Sequence, residues 1–150
     1  KVRSMVGLLP LCASTVIPGG DVVNLQALRA RVAKFLSRNP ELSANIAPID
    51  KPGKNAFYAT GLDELLRERG IENLLITGVT TDVCCSATTI AANDSGFNAL
   101  VLADCVASYS PERHAAVLDV IAAQGGIFGW VTDSAAVLAG LEAADQDPTP

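Results

Sequence analysis

Short apolar runs alternate with amphipathic stretches through the second half of the chain. Runs that are almost entirely apolar favour strands covered on both faces, as in a parallel sheet. Stretches with apolar residues at helical spacing favour helices. The predicted strands are 73–78, 99–103 and 127–131, and the predicted helices are 60–70, 82–94, 111–124 and 133–142. This order predicts an α/β fold, a doubly wound (Rossmann-like) parallel sheet with helices on both faces.

The ends of these elements carry their own signals. Thr60 is predicted to cap a helix, and Pro111 stands at the first position of another. In a doubly wound sheet, ligands bind beyond the carboxyl ends of the strands. The residues directly after Gly78, Ala103 and Val131 are therefore the first candidates for a site.

The amino-terminal part of the chain gives weaker signals. Residues 22–36 have helical spacing and are followed by Asn39-Pro40, which predicts a helix that ends there. A short strand is predicted at 46–49. The apolar stretch 5–17, interrupted by a proline, favours a buried strand or an out-of-place terminus over a secretory signal. Position 1 is Lys, which fits a fragment or a processed product.

Composition and charge narrow the class of protein. Of the 150 residues, 49% are apolar and 18% are charged, so residues 1–150 are predicted to form a single domain rather than a disordered chain. The acidic, proline-containing tail 143–150 is the exception and is predicted to be disordered. The net charge of −5 lacks the basic footprint of a nucleic-acid binder and gives no attraction to anionic membranes. No apolar run reaches the roughly 18 residues that span a bilayer.

Cysteine and histidine usage limits metal and disulfide chemistry. The four cysteines include the adjacent pair Cys84-Cys85 but form neither a C-x-x-C motif nor a cluster with His114, the single histidine. A zinc site with two cysteines and two histidines is excluded within one chain, and so is a His-rich metal centre. A reducing, cytoplasmic location is predicted.

The segment 77–85 carries the strongest chemical signal. It leads from a predicted buried strand through a tight turn into a helix that begins near Cys84 and Cys85. The helix dipole and unpaired backbone N–H groups at such a position favour a thiolate, which is the nucleophilic form. The same N–H groups could hold an oxyanion. The alternative is that both cysteines are small buried apolar residues. Spacing alone decides neither between these two interpretations nor which cysteine would be the nucleophile.

Two motifs of this chain resemble those of the isochorismatase-like cysteine hydrolases. One is Gly78-Val79-Thr80-Thr81-Asp82-Val83-Cys84, followed by Thr88 and Ala92-Asn93-Asp94. The other is the upstream segment 50–62, which includes Lys51-Pro52 and Ala56-Phe57. The resemblance extends over residues 40–141 and is closest to the biuret hydrolase and ureidoacrylate amidohydrolase branch.

The resemblance implies roles for particular residues. The family's nucleophile follows Thr-Asp-Val and falls on Cys84, and its catalytic lysine falls on Lys51. Its oxyanion hole is formed by backbone amides, which here are those of Thr80 and Cys84. The family's peptide bond before Thr80 is often cis. Cys85 falls on a packing position, and Lys54 is interpreted as a solvated loop residue.

The resemblance also implies a reaction. In the family, the cysteine attacks an amide or carbamoyl carbon, an amine leaves, and water hydrolyses the thioester-type intermediate. The implied substrate is a small amide or ureido compound, and the motif requires no metal or organic cofactor. Members of the family are commonly dimers or tetramers, so a homo-oligomer is expected.

One departure from the family pattern concerns its catalytic Asp. In the family this general base lies at the end of the first strand, whereas residues 5–17 contain no Asp. The chain is therefore predicted to be incomplete at its amino terminus, without the family's first strand. The alternative function is a catalytically inactive, truncated member that acts as a subunit partner. A redox protein that uses Cys84-Cys85 is disfavoured because adjacent cysteines form only a strained disulfide.

The remaining candidates are assigned to the edges of the site. Asp82 is predicted to cap the helix near Cys84, with a replacement acid as the alternative. Asp104 is predicted to end a strand and to hydrogen-bond to the turns. Phe57 and Tyr58 are predicted to line the pocket entrance. His114 is predicted to lie on a helix surface, and Phe128 and Trp130 are predicted to lie in the core.

Overall fold

The computed structural model describes residues 6–8, 34, 37, 38, 40, 47 and 49–146. The chain forms two compact units, one made of 1–12 with 49–150 and the other of 13–48. In the second unit the described residues 34, 37, 38 and 40 are all helical. The helix predicted over 22–36 otherwise lies outside the described residues, and Pro40 is helical where that helix was predicted to end. Ala47 and Ile49 are not in a strand, contrary to the prediction for 46–49.

The first unit is built on a four-stranded parallel sheet with strand order β1-β2-β3-β4. The strands are β1 Val6–Leu8, β2 Asn73–Val79, β3 Asn98–Ala107 and β4 Trp130–Thr132. Leu75 pairs with Gly7 on one side and with Leu100 on the other, and Val101 pairs with Val131. The predicted parallel α/β fold is confirmed. Its first strand lies in the apolar stretch 5–17.

Helices connect the strands and flank the sheet. They are α1 Leu62–Glu68, α2 Ser86–Asp94, α3 Pro111–Gly126 and α4 Ser134–Gln146. A π-helical turn, Thr81–Cys85, joins β2 to α2. The core combines apolar side chains from α1, β2, β3 and α3, including Leu66, Ile76, Val101 and Ile121. No helix in the part of the chain that the structure describes is both long and apolar enough to cross a membrane.

Several element ends differ from the predicted ones by a turn or less. Gly61, not Thr60, is the N-cap of α1, although the Thr60 hydroxyl accepts a hydrogen bond from the Leu62 N–H at 3.3 Å. Helix α4 continues to Gln146, so the first residues of the tail predicted to be disordered are helical. Pro111 begins α3 as predicted, and the Ser110 side chain caps it.

The chain between α3 and β4 differs more from the prediction. Gln124 and Gly125 have φ values of 54° and 78°, which interrupts the helix before its assigned end. The Ile127 N–H then donates to the Ala123 carbonyl at 2.9 Å, so the run predicted as a strand from 127 starts as a turn. The strand is left with three residues. Trp130 is 50% exposed, and the prediction that it lies in the core is wrong.

Candidate active site

The cysteine turn, Thr81–Cys85, begins directly beyond the carboxyl end of β2. The peptide bond between Val79 and Thr80 is cis, as the family resemblance implied. The Thr80 carbonyl accepts hydrogen bonds from the N–H groups of Val83 at 3.3 Å and Cys85 at 3.0 Å. The second bond spans five residues and defines the π-helical geometry. The turn thus occupies the sheet edge at which ligands bind in open α/β folds.

The two adjacent cysteines have different surroundings. The side chain of Cys85 is only 3% exposed and belongs to the core cluster. Its Sγ lies 3.9 Å from the Thr77 carbonyl oxygen. Cys84 is partly exposed, so a small molecule can approach its sulfur. Burial therefore distinguishes the two thiols, whereas their spacing in the sequence did not.

Lys51 lies beside Cys84, although 33 residues separate them in sequence. Its Nζ is 3.7 Å from Cys84 Sγ, 2.9 Å from the Gly53 carbonyl oxygen and 3.1 Å from the Lys54 carbonyl oxygen. An ammonium group has three N–H donors, and these three acceptors match them. The two carbonyls therefore orient the ammonium so that one N–H faces the sulfur. Lys54 is exposed, in agreement with its interpretation as a solvated residue.

The loop that carries Lys51 is fixed to helix α2. The Ala56 N–H donates to the buried Thr88 hydroxyl at 3.1 Å, and Thr88 follows Cys84 by one turn. The ring of Phe57 packs on that of Phe97, with 5.7 Å between centroids. Phe57 thus contacts the core cluster, whereas its neighbour Tyr58 is 65% exposed. Of the two predicted entrance residues, Tyr58 is the one fully available to solvent.

A separate apolar groove of about 660 Å³ lies against the amino-terminal halves of β2 and β3, against β4 and against helix α4. Its lining residues include Asn73, Asn98, Trp130 and Leu141, and neither Lys51 nor Cys84 is among them. Within the described residues, no group of three or more His, Cys, Asp or Glu side chains is placed to hold a metal ion.

Comparison with known proteins identifies the family of the chain. The Isochorismatase domain matches residues 27–136 of the chain. The chain belongs to the isochorismatase family. The resemblance found in the two sequence motifs is confirmed, and ureidoacrylate amidohydrolases are among the relatives of this isochorismatase-family chain.

Each match covers only part of the relative's own length. Over 99 residues the chain is 37% identical to the ureidoacrylate amidohydrolase RutB of Methylobacterium radiotolerans, a match that covers 65% of this chain and 37% of that protein. The nicotinamidase SaPncA from Staphylococcus aureus is 34% identical with a TM-score of 0.60, covering 67% of this chain and 63% of that one. An isochorismatase-like hydrolase from Alkaliphilus metalliredigens is 27% identical with a TM-score of 0.58, covering 65% and 54%. The chain spans 37% to 44% of the length of the curated relatives it matches.

Asp82 does not cap the helix in this isochorismatase-family site, contrary to the prediction. Thr80 is the residue before the cysteine turn, and no side chain caps the turn. The Asp82 carboxylate instead accepts a hydrogen bond from the Ser108 hydroxyl at 2.6 Å. That bond is the main reason why the pKa of Asp82 lies below its ordinary value of 3.8. Asp82 therefore ties the cysteine turn to the residue just after β3.

His114 was predicted to lie on a helix surface, but it is partly buried against the cysteine turn. Its Nδ1 lies 2.9 Å from Oγ1 of Thr81, and Thr81 is fully buried. This contact was not predicted from the sequence, because no local pattern shows which side of the first turn of a helix faces a distant element.

Asp104 lies inside β3 rather than at its end, contrary to the prediction. Its carboxylate accepts hydrogen bonds from the Ser134 hydroxyl and, at 2.8 Å, from the Ser134 N–H. Asp104 therefore hydrogen-bonds to the first residue of helix α4, not to a turn as predicted. These bonds, the hydroxyl first, hold the pKa of Asp104 below its ordinary value of 3.8.

A pH series should reveal the Asp104–Ser134 contact. A carboxylate whose pKa is lowered by folding stabilises the fold above its ordinary pKa, and that contribution is lost as the pH falls through the folded value. We therefore expect Ser134→Ala to lower the urea midpoint at pH 7 and to have progressively less effect below about pH 3.8. Ser86→Ala is the control, because the Ser86 hydroxyl donates to a backbone carbonyl at 3.2 Å. A carbonyl does not titrate, so the effect of this substitution should not change with pH. A Ser134→Ala effect that stays constant with pH would contradict the assignment.

Proposed function

We propose that this isochorismatase-family chain carries a cysteine-hydrolase site that cleaves a C–N bond of a small amide or ureido compound. The observation that carries the proposal is the 3.7 Å contact between Lys51 Nζ and Cys84 Sγ. An oriented ammonium beside a partly exposed sulfur stabilises negative charge on that sulfur when the cysteine acts as a nucleophile. Cys84 is the proposed nucleophile and Lys51 its electrostatic partner.

The relatives support the type of reaction. One is named an amidohydrolase and another a nicotinamidase, and both names describe hydrolysis of amides. A small amide or ureido compound is therefore the proposed substrate class.

In the first step, the Cys84 thiolate attacks the carbonyl carbon and a C–S bond forms. The carbonyl electron pair moves onto oxygen, where the backbone N–H groups of Thr80 and Cys84 are proposed to donate hydrogen bonds. The C–N bond then breaks. The nitrogen takes up the proton that the thiol released and leaves as ammonia or an amine.

In the second step, water attacks the thioester carbon, the new C–O bond forms and the C–S bond breaks. One proton of the water returns to sulfur, which restores the thiol. The products are an acid, or a carbamate from a ureido substrate, together with the amine. Lys51 stabilises the sulfur whenever it carries negative charge, at the beginning and the end of the cycle.

A base for the initial thiol proton is the part of the family mechanism that the described site does not include. Among the residues that the structure describes, no carboxylate is hydrogen-bonded or ion-paired with Lys51 or Cys84. General-base catalysis typically contributes about 10²–10⁴-fold.

The test is to incubate the chain with ureidoacrylate, biuret, nicotinamide and simple primary amides, measuring released ammonia and the intact protein mass. We expect ammonia release, and an acyl adduct mapped to Cys84. Both should disappear in Cys84→Ala and persist in Cys105→Ser, since Cys105 is an exposed thiol elsewhere on β3. Normal alkylation of Cys84 with neither ammonia nor adduct from any amide would instead favour the inactive subunit.

A further inference from the structure

The helical geometry of the cysteine turn determines which of its two neighbouring thiols faces Lys51. Cys84 and Cys85 are chemically identical, yet only Cys84 lies within 3.7 Å of the Lys51 ammonium. The Cys85 N–H bond to the Thr80 carbonyl spans five residues, one more than in an α-helix. If the turn tightened to α-helical geometry, both cysteines would rotate relative to Lys51. Something outside the turn must therefore hold its register.

The contact between Thr81 and His114 is suited to this role. Thr81 is the first residue of the turn and is 0% exposed, so its hydroxyl is removed from water. The hydrogen-bond partner of that hydroxyl is Nδ1 of His114, at 2.9 Å and on helix α3. A buried hydroxyl that loses its partner is costly. Rotation of the turn that moved Thr81 would break this bond.

We propose that His114 is a positioning residue that fixes the register of the cysteine turn, so that Cys84 and not Cys85 is presented to Lys51. It acts through the Thr81 hydroxyl and does not touch the reacting sulfur. The selection of one thiol is a property of the fold and does not require turnover. Only its consequence for catalysis rests on the proposed function.

The hydrogen bond between Asp82 and Ser108 adds a second tether from the same side of the molecule. Ser108 and His114 flank the beginning of α3, and each contacts a different residue of the turn. The Asp82 tether is only partly buried, so water can replace the Ser108 hydroxyl. In the other tether, the Thr81 end is completely buried and the His114 end is partly buried. We therefore expect His114 to contribute more to the register than Ser108.

The test measures which cysteine is alkylated. The folded chain is treated briefly with iodoacetamide, and fragment-ion mass spectrometry gives the ratio of label on Cys84 to label on Cys85. We expect label on Cys84 in the native chain and a fall of about tenfold in this ratio in His114→Leu. His114→Asn should restore the ratio, because the asparagine side chain places a polar atom near the position of Nδ1.

Two further variants separate positioning from a general loss of stability. Ile121→Val removes a methylene from the buried core on the same helix without touching the Thr81–His114 bond. It should lower the melting temperature and leave the ratio unchanged. Thr81→Val removes the hydroxyl from the other side of the bond, and we expect the same fall as in His114→Leu, with no additional fall when the two are combined.

The proposal is wrong if His114→Leu and Thr81→Val both keep the native ratio, or if Ile121→Val lowers the ratio as much as they do. If His114→Leu does not fold, the pair Thr81→Val and Thr81→Ser decides, since serine keeps the hydroxyl. A changed ratio with no amide hydrolysis in the native chain would support the positioning role and contradict the proposed function. Hydrolysis with an unchanged ratio would support the proposed function and contradict the positioning role.

Discussion

Replacing Lys51 with methionine is expected to lower amide hydrolysis by about 10²–10³-fold, the range seen when one oriented electrostatic group is removed from a site. Methionine keeps an unbranched side chain that ends one atom earlier, and it removes the ammonium that lies 3.7 Å from Cys84 Sγ. The thiolate then loses its neighbouring positive charge. The rate of Cys84 alkylation at neutral pH should fall in the same variant, which gives a measurement that needs no substrate.

Lys54→Met is the matched control for Lys51→Met. Both changes remove one positive charge from the same loop, but the Lys54 side chain is exposed and only its backbone carbonyl contacts the Lys51 ammonium. That carbonyl is unchanged by the substitution. We expect Lys54→Met to keep the native alkylation rate within about a factor of two, because exposed charges are largely screened by solvent and salt.

Salt dependence distinguishes a local contact from a general field. The Lys51–Cys84 contact is partly buried and short, so its effect should persist in about 0.5 M salt, where the Debye length is only several ångströms. A Lys51→Met effect that vanished in salt, or that Lys54→Met reproduced, would show that loop charge in general and not this contact activates the thiol. Unchanged alkylation in Lys51→Met would exclude Lys51 as the partner of Cys84.

The site could be predicted only in part from the sequence, and the reason differs between its residues. Lys51 and Cys84 each stand within a recognisable motif, so a resemblance to a family could pair them across 33 residues. Helical or strand periodicity alone could not, because it describes each element separately. The choice of Cys84 over Cys85 likewise came from the resemblance, and packing supplies its physical basis.

The tethers of the cysteine turn depend on how distant elements approach one another. Whether His114 reaches Thr81 is set by where α3 begins relative to the end of β2, and no local pattern encodes that. Asp82 has the residue type and position of a helix cap, but a hydroxyl from beyond β3 takes its carboxylate instead. Local propensity predicted a helix cap, but the tertiary contact with Ser108 takes its place.

Strand ends were predicted less well than strand centres. The apolar centre of β3 stands out in the sequence, but the strand continues through Asp104 and Cys105, which are exposed and have the appearance of a loop. The pairing of β3 with β2 shifts register between Ile76 and Gly78, so the later part of β3 follows a different alternation. A pattern with a fixed period cannot follow such a shift.

Replacing Gly129 with alanine is expected to destabilise the fold by about 2–5 kcal/mol, the range of severe core substitutions. Gly129 is buried where the chain enters β4, and its φ of 150° is one that residues with a side chain rarely adopt. A Cβ built there would lie 2.6 Å from the Ala99 carbonyl oxygen and 3.3 Å from a methyl of Thr89. The backbone of β3 cannot move aside without disturbing its pairing with β2, so the clash is not relieved cheaply.

Gly140→Ala provides a control with the opposite expected sign. Gly140 lies in helix α4, and a Cβ built there meets no heavy atom within 4 Å. Alanine in a helix is favoured over glycine by about 1 kcal/mol, so this variant should be slightly more stable than the native chain. Urea unfolding followed by circular dichroism measures both changes on one scale. If Gly129→Ala unfolded at the same urea concentration as the native chain, the close approach of β4 to the Ala99 carbonyl would be contradicted. The register that places β4 beside β3 would then be contradicted as well.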